Sequence, residues 1–431
     1  MGDTRGKEID VEIQSLAPGG DAVGPQSDPP SAPGPTDGRV TFVALAAPGE
    51  RVRARLEREK GRVAWAELVA VQRPGAVRVA APCPLFGACG GCQWQHVSAD
   101  AQRDAKKAIV ERALAVAIGP VVAASPPFGY RDRAKLVRGA EQGTTTFGFR
   151  ARRSHAVVDV PACPLFGPEL ARALPALRTA AGAWPPGTEV DVAAGAGGVH
   201  VNVNVEPRAA GAVDVGAARA SLAAAGVVGL SVNGKPAWGE PAVDVAEPGG
   251  APLPIPAGGF AQVGRAANAA LVAAVMDAVG DAPGVVVELY AGSGNFTRHL
   301  LARAVTVHAS DADAAAVERG RTNAPGAHWT VARAGSWSGF GAGSGQVPTG
   351  TVPTDPDTVV LDPPREGADA GALAVARRAR QRIVYVSCDP QTLARDVRAL
   401  AAAGFRVRHA VALDLMPQTF HVEVVALLDR G

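Results

Sequence analysis

From about residue 265 onward the chain alternates apolar strand-like runs with helical patterns, and no other feature restricts its fold so tightly. The runs are V-V-V-E-L, V-T-V-H-A, T-V-V-L-D, R-I-V-Y-V and H-V-E-V-V-A-L-L, preceded by a long helical stretch, A-A-N-A-A-L-V-A-A-V-M-D-A-V. Strands that are apolar throughout need cover on both faces, and helices between most of them supply it. The expected class is α/β, a doubly wound Rossmann-like sheet over residues 256–431. The Gly-, Ser-, Pro- and Thr-rich stretch 335–357 is expected to be a flexible loop or insertion within it.

The upstream sequence has a different texture. Residues 1–80 hold short strands, E-I-D-V-E-I and R-V-T-F-V-A-L among them, separated by turn residues as in a small β-barrel, with a loop from Gly24 to Gly38. Residues 81–255 form a central unit. It contains a cysteine-bearing segment at 83–98, a helix with Ile109, Val110 and Leu114 on its apolar face, and then mostly strand and turn. G-V-H-V-N-V-N-V alternates with period two, so an antiparallel sheet is expected there. A length of 431 residues suits two or three such units. The net charge of +2 gives no strong field for a polyanion, so any nucleic-acid affinity must come from local patches. The amino-terminal sequence lacks a signal-peptide core and no apolar stretch is long enough to span a bilayer; the expected location is cytoplasmic, with no membrane partner.

Two glycine- and proline-bearing turns follow strands in the last unit. E-L-Y-A-G-S-G-N carries Glu288, Tyr290, Gly292, Gly294 and Asn295, and Asp311 ends the next strand. Glycines at such a turn let a ligand approach the backbone, and the acid can hold ribose hydroxyls. The third glycine of a dinucleotide fingerprint is missing, so S-adenosylmethionine fits better than NAD; a plain turn into a helix is the alternative. In L-D-P-P-R-E-G, Asp362 precedes two prolines that stiffen the turn and keep it out of a helix.

The five cysteines divide into four and one. Cys83, Cys89 and Cys92 have the spacing C-x5-C-x2-C, and Cys163 follows in a second copy of C-P-L-F-G. Three clustered thiols and a distant fourth suit a cubane iron–sulfur cluster, with structural zinc as the alternative. Cys388 stands alone after a strand, before a helix whose amino end is expected to lower its thiol pKa; a buried small hydrophobe is the competing reading. Glu423 interrupts an apolar run, which is costly unless the carboxylate is paired or used.

These motifs together resemble the RNA uracil-5-methyltransferase family, specifically its iron–sulfur, 23S ribosomal-RNA branch. The likeness covers nearly the whole chain through C-P-L-F-G-A-C-G-G-C-Q-W-Q-H, G-F-A-Q-V, L-D-P-P-R-E-G, Y-V-S-C-D-P-Q-T-L-A-R-D and M-P-Q-T-F-H-V-E. It implies a class I methyltransferase domain, an N-terminal oligonucleotide-binding-type barrel (a TRAM domain) and a central α+β domain carrying a [4Fe-4S] cluster. By the same resemblance Cys388 is the nucleophile and Glu423 the general base. Gln262, Tyr290, Gly292, Gly294, Asn295, Asp311 and Asp362 would bind S-adenosylmethionine, and Cys83, Cys89, Cys92 and Cys163 would hold the cluster. The implied substrate is a single-stranded or loop region of 23S rRNA, with transfer RNA or a non-catalytic RNA-binding role as alternatives, and the implied working unit is a monomer. From their charge alone, the segment Arg51–Arg62 and the group Arg131, Arg133, Lys135 and Arg138 are candidate phosphate contacts, with an ordinary solvated face as the equal alternative. The chain departs from the family pattern in having Asp311 for a more usual glutamate, Asp389 for a frequent asparagine, and Gly335 where a polar side chain is expected near the cofactor.

Overall fold

A computed structural model describes residues 5–27, 39–141, 143–245, 252–332 and 353–430. Six strands open the chain: β1 (Glu8–Glu12), β2 (Ser15–Leu16), β3 (Ala22–Ser27), β4 (Val40–Val43), β5 (Arg51–Lys60) and β6 (Val63–Arg73). They pair in the order β1-β5-β6-β4-β3-β2, and a further β1–β3 pairing closes the sheet into a barrel. Residues 24–27, expected in a loop, belong to β3 instead, and the rest of that stretch, 28–38, lies outside the described residues. Pro25 is tolerated in this strand although it has no N–H to donate to a ladder.

Helix α1 (Ala99–Leu114) joins the layers. Ile109 packs into the barrel core with Trp94, whereas Val110 packs into the core of the last sheet. The central sheet follows, with β7 (Arg133–Glu141), β8 (Thr144–Arg150), β9 (Val157–Asp159), β10 (Glu189–Gly195), β11 (Gly198–Asn204), β12 (Val227–Val232) and β13 (Lys235–Gly239) in the order β13-β12-β11-β10-β7-β8-β9. Helices α2 (Pro168–Ala181) and α3 (Val215–Ala224) cover one face. The sheet is not wholly antiparallel: β11 and β12 run parallel, as the crossover through α3 requires. Nor is β11 half-exposed, as its alternation implied. His200 and Asn202 are buried, with His200 Nδ1 accepting from Ala257 N at 3.0 Å and Asn202 Oδ1 from Gly234 N at 2.8 Å.

A short hairpin, β14 (Val243–Val245) with β15 (Leu253–Ile255), leads into α4 (Arg265–Val279) and the last sheet. Its strands are β16 (Val285–Leu289), β17 (Thr306–Asp311), β18 (His328–Val331), β19 (Thr358–Leu361), β20 (Arg382–Ser387), β21 (Phe405–Leu413) and β22 (Glu423–Arg430), ordered β18-β17-β16-β19-β20-β22-β21. Helices α5 (Thr297–Leu300), α6 (Ala314–Asn323), α7 (Ala370–Ala376) and α8 (Pro390–Ala401) intervene. Alternate residues of the central strands serve opposite cores. Val287, Val359, Ile383 and Tyr385 pack against Leu373, Leu393 and Leu400 of α7 and α8, while Val286, Val360 and Val384 pack against Leu271, Val275 and Met276 of α4. Each fully buried side chain of this size contributes about 1.5–3 kcal/mol, so removal of Leu393 alone is expected to cost about 2–5 kcal/mol. The strand order reverses direction between β16 and β19, and a crevice for ligands opens at the carboxyl ends of such a pair.

Of the Gly/Ser-rich stretch 335–357, residues 335–352, Gly335 included, lie outside the described residues.

Candidate active site

Register brings the distant motifs of the last unit to one edge. Leu289 pairs with Leu361 and Leu361 with Tyr385, so Tyr290, Asp362 and the end of β20 emerge side by side. Ser387 pairs with Val424 across the antiparallel β20–β22 ladder. Cys388 follows Ser387 and Glu423 precedes Val424, and the Glu423 carboxylate acts on the Cys388 thiol.

The turn after β16 is held in an unusual backbone. Tyr290 has φ +61°, Gly292 +56° and Gly294 +92°, a region that L side chains enter only at a cost. The loop is pinned from the next strand: Asp311 Oδ2 accepts from Gly292 N at 2.9 Å, and Ala291 N donates to Ser310 O at 2.9 Å. Gly294 faces away from the crevice, and a Cβ there would meet the Trp329 ring at 3.3 Å. Beneath the loop, Glu288 is buried and accepts from Thr297 Oγ1 at 2.6 Å; burial pushes its carboxyl up to about 8.

Gln262, Tyr290, Gly292, Asn295 and Asp362 line one cavity, together with the exposed Phe260 ring. Asp311 and Gly294 are not on its wall; Asp311 acts on it through Gly292. Asn295 is fixed by a reciprocal amide pair with Asn268, at 2.8 and 2.9 Å. Asn268 is absent from the residues expected from sequence, although an amide buried in an alanine-rich helix was the available signal.

Asp362 joins this cavity to the second half of the site. The surface it exposes faces the cavity, and burial pushes its carboxyl up to about 7. Glu423 is buried at the start of β22, and burial, then Asp362, hold its carboxyl well above the ordinary range while Arg365 opposes them. The Cys388 thiol is pushed up to about 11, first by burial and then by the Glu423 carboxylate, with Arg365 pulling the other way. The expectation of a thiol lowered by the helix end is therefore reversed. Asp389 caps α8, accepting from Gln391 N at 2.8 Å and Thr392 N at 3.2 Å, so that helix end is already occupied by a carboxylate. Arg365, inside the D-P-P-R-E-G turn, is a second residue the sequence reading passed over.

The other four cysteines line a separate hollow, with Leu85, Phe86, Leu165 and Arg131 also on its wall. Both C-P-L-F-G copies make the same turn, Phe86 N donating to Cys83 O and Phe166 N to Cys163 O, each at 3.1 Å. Phe166 itself points into the central core and does not shield the hollow. Burial raises the thiols of Cys89, Cys92 (to about 11) and Cys163, and Arg131 counters it in each case. Among the described residues no group of three or more His, Cys, Asp or Glu side chains is arranged to hold a metal ion. Zinc would need all four thiolates on one centre at about 2.3 Å. A cubane takes one thiolate per iron, and four thiols that line one hollow are a donor set of that kind.

The candidate phosphate contacts divide. Arg133 is enclosed, donating to the carbonyls of Pro256, Ala257 and Gly259 at 3.2, 2.9 and 2.6 Å, which makes it a structural residue. Arg131 faces the cysteines, Arg138 donates to Thr145 Oγ1 at 3.3 Å, and Lys135 is exposed beside Glu189 and Asp191. No helix among the described residues is long and apolar enough to cross a membrane.

A family model described as tRNA (Uracil-5-)-methyltransferase matches residues 354–431. A 23S rRNA (uracil(1939)-C(5))-methyltransferase, RlmD, from Alkalilimnicola ehrlichii is 35% identical over 91% of this chain and 92% of its own length. An uncharacterized RNA methyltransferase from Thermosynechococcus vestitus is 31% identical over 98% of both. Among solved structures, the Pyrococcus abyssi tRNA (uracil-54, C5)-methyltransferase in complex with S-adenosyl-L-homocysteine superposes with a TM-score of 0.74 at 26% identity, covering 99% of this chain and 100% of that one.

Proposed function

The chain belongs to the RNA uracil-5-methyltransferase family, and from that premise we propose that it methylates C5 of a uridine in 23S rRNA, with S-adenosylmethionine as methyl donor and Cys388 and Glu423 as its catalytic pair. The observation that carries the reading is the Ser387–Val424 pairing, which brings the adjoining Cys388 and Glu423 close enough to interact, beside a cavity whose wall includes Asp362.

Uracil C5 is too weak a nucleophile to attack a sulfonium methyl unaided. Cys388 adds to C6 as its thiolate, the form it regains at the end of the cycle, and the ring becomes an enolate with electron density at C5. C5 then takes the methyl group, which leaves the donor's sulfur neutral. Glu423 removes the C5 proton, C5–C6 becomes a double bond again, and Cys388 leaves as thiolate. A carboxylate whose proton affinity is raised by burial and by Asp362 suits that abstraction. Gln262, Tyr290, Gly292, Asn295 and Asp362 would hold the donor, with Asp311 fixing the glycine loop. A target base cannot react while stacked, so an unpaired or extruded uridine is required.

Cys83, Cys89, Cys92 and Cys163 would hold a [4Fe-4S] cluster, which supplies a rigid cross-link between residues far apart in sequence and takes no part in the methyl transfer. Residues 1–80 would grip flanking RNA, 81–255 would carry the cluster and 256–431 the chemistry. Ribosomal rather than transfer RNA is favoured by sequence identity, 35% and 34% to two 23S rRNA enzymes against 26% to the transfer-RNA enzyme. The Cys388→Ala variant should bind S-adenosylmethionine and transfer no methyl group; turnover in that variant would overturn the mechanism. Mapping 5-methyluridine in ribosomal and transfer RNA from cells with and without the gene tests the substrate.

A further inference from the structure

The outer face of the barrel carries a row of side chains that its own packing does not require. β4, β6 and β5 lie side by side, and their register sets Phe42 opposite Trp65 and Trp65 opposite Arg58. The flanking Thr41, Val43, Ala64 and Ala66 are buried inside the barrel, so strand alternation turns Phe42 and Trp65 outward. Their rings are stacked, with centroids 5.9 Å apart and planes inclined by 16°. The Arg58 guanidinium lies 3.9 Å over the Trp65 ring. Half-exposed rings are a notable use of aromatic residues in a chain that contains only 5% of them.

Cations stand beside this row. Arg51, Arg53, Arg55 and Arg73 are paired with Glu8, Asp10 or Glu12 of β1, and Arg58, Lys60 and Arg62 at the β5–β6 turn are the basic residues nearest the rings. A flat aromatic step beside cationic strands suits a single-stranded polyanion whose units have π faces. An apolar protein ligand would gain little from the surrounding arginines.

We propose that Phe42, Trp65 and Arg58 form a stacking platform for unpaired bases of the substrate RNA, on the barrel and outside the catalytic cavity. The inference rests on RNA being the substrate. Every base has a π face, so the platform tolerates any sequence: it holds the strand and leaves choice of the target uridine to the catalytic cavity.

The test uses the full chain with two fluorescein-labelled probes, a dodecauridylate and an abasic ribose-phosphate strand of the same length. The unaltered protein should prefer the base-bearing strand. Trp65→Leu should weaken dodecauridylate binding about ten-fold or more and erase that preference, with affinity for the abasic strand and for S-adenosylmethionine unchanged. Trp65→Phe should restore most of the loss. Undiminished dodecauridylate binding by Trp65→Leu would overturn the platform. If that variant does not fold, crosslinking of the unaltered protein to 4-thiouridine RNA decides: adducts on the Phe42 or Trp65 peptides support the platform, and adducts only elsewhere reject it. An unaltered protein that binds neither strand and methylates no RNA would bring down the substrate reading and the platform together. One that methylates RNA but shows no preference for bases over the abasic strand would reject the platform alone.

Discussion

Gln102 and Gln418, 316 residues apart in sequence, exchange hydrogen bonds inside the protein: Gln102 Nε2 donates to Gln418 Oε1 at 3.0 Å, and Gln418 N donates to Gln102 Oε1 at 2.9 Å. The Gln418 carbonyl also accepts from Gln93 N and Trp94 N, both at 3.0 Å, immediately after Cys92. Nearby, Lys106 of α1 forms a buried ion pair with Asp414, and Tyr130 Oη donates to Pro417 O at 2.9 Å. The loop between β21 and β22, which delivers Glu423, is thus fastened to the cysteine segment and to α1. Order among the cysteines and the position of the Glu423 carboxylate are thereby mechanically linked.

Gln418 has φ +70°, so it combines a costly backbone with hydrogen bonds that repay it. Gln418→Ala should destabilise the protein by about 1–3 kcal/mol for each buried partner group it orphans. Gln418→Gly loses the same side chain but relieves the backbone, and should be about 1 kcal/mol less destabilising. Urea unfolding of the two variants checks the order. Equal stability would mean that the left-handed backbone costs nothing here.

The raised Cys388 thiol has a consequence for reagents. Only the thiolate alkylates, so iodoacetamide labelling of Cys388 in the free protein should climb about ten-fold per pH unit through pH 8 to 10, without the plateau that an ordinary thiol shows near 9. The Glu423 carboxylate helps to raise that thiol, so Glu423→Gln should shift the profile to lower pH and label faster at pH 8. Site-resolved mass spectrometry gives both profiles. A plateau below pH 9 in the unaltered protein would contradict the burial argument.

Much of this was legible in the sequence because it depends on local chemistry. The strand–helix alternation, the glycine turn at 290–295 and the D-P-P turn are each encoded within a few residues, and the sheet order then delivers them to one edge. The central sheet was harder. His200 and Asn202 look like the exposed positions of β11, and only the chain at Ala257 and Gly234 folding over them makes them buried. The basic neighbours of Arg133 make it a candidate phosphate contact. Three carbonyls from 256–259 enclose it, and nothing within its own strand announces them. The direction of the Cys388 shift is hidden for the same reason: burial by the surrounding fold sets it first, and the Glu423 carboxylate, distant in sequence, adds to it.

Protein purified anaerobically should be brown and carry about four irons per chain, as a cubane with four cysteine ligands requires. Replacing any one of Cys83, Cys89, Cys92 or Cys163 by Ala should lower the iron content and the visible absorption. Through Gln93, Trp94 and Gln418 it should also raise hydrogen exchange in the 414–421 loop. Cys388→Ala should leave iron unchanged. A colourless protein with stoichiometric zinc would overturn the cluster.

Glu423 completes the argument because its position makes two effects separable. If it removes the C5 proton after methyl transfer, Glu423→Gln stops the reaction with Cys388 still bonded to C6 of a methylated uridine. A covalent RNA–protein species should then appear on a denaturing gel, retain label from a radioactive methyl donor, and vanish in the Cys388→Ala, Glu423→Gln double variant. The base must be ionised to act, and burial together with Asp362 raises its pKa, so activity should fall on acidification at a pH above the ordinary carboxylate range. Asp362→Asn removes one of those raising charges and should move that acid limb to lower pH, even if it also weakens donor binding. An adduct without methyl label would show that Glu423 acts before the transfer, and an acid limb unmoved in Asp362→Asn would remove Glu423 as the titrating group.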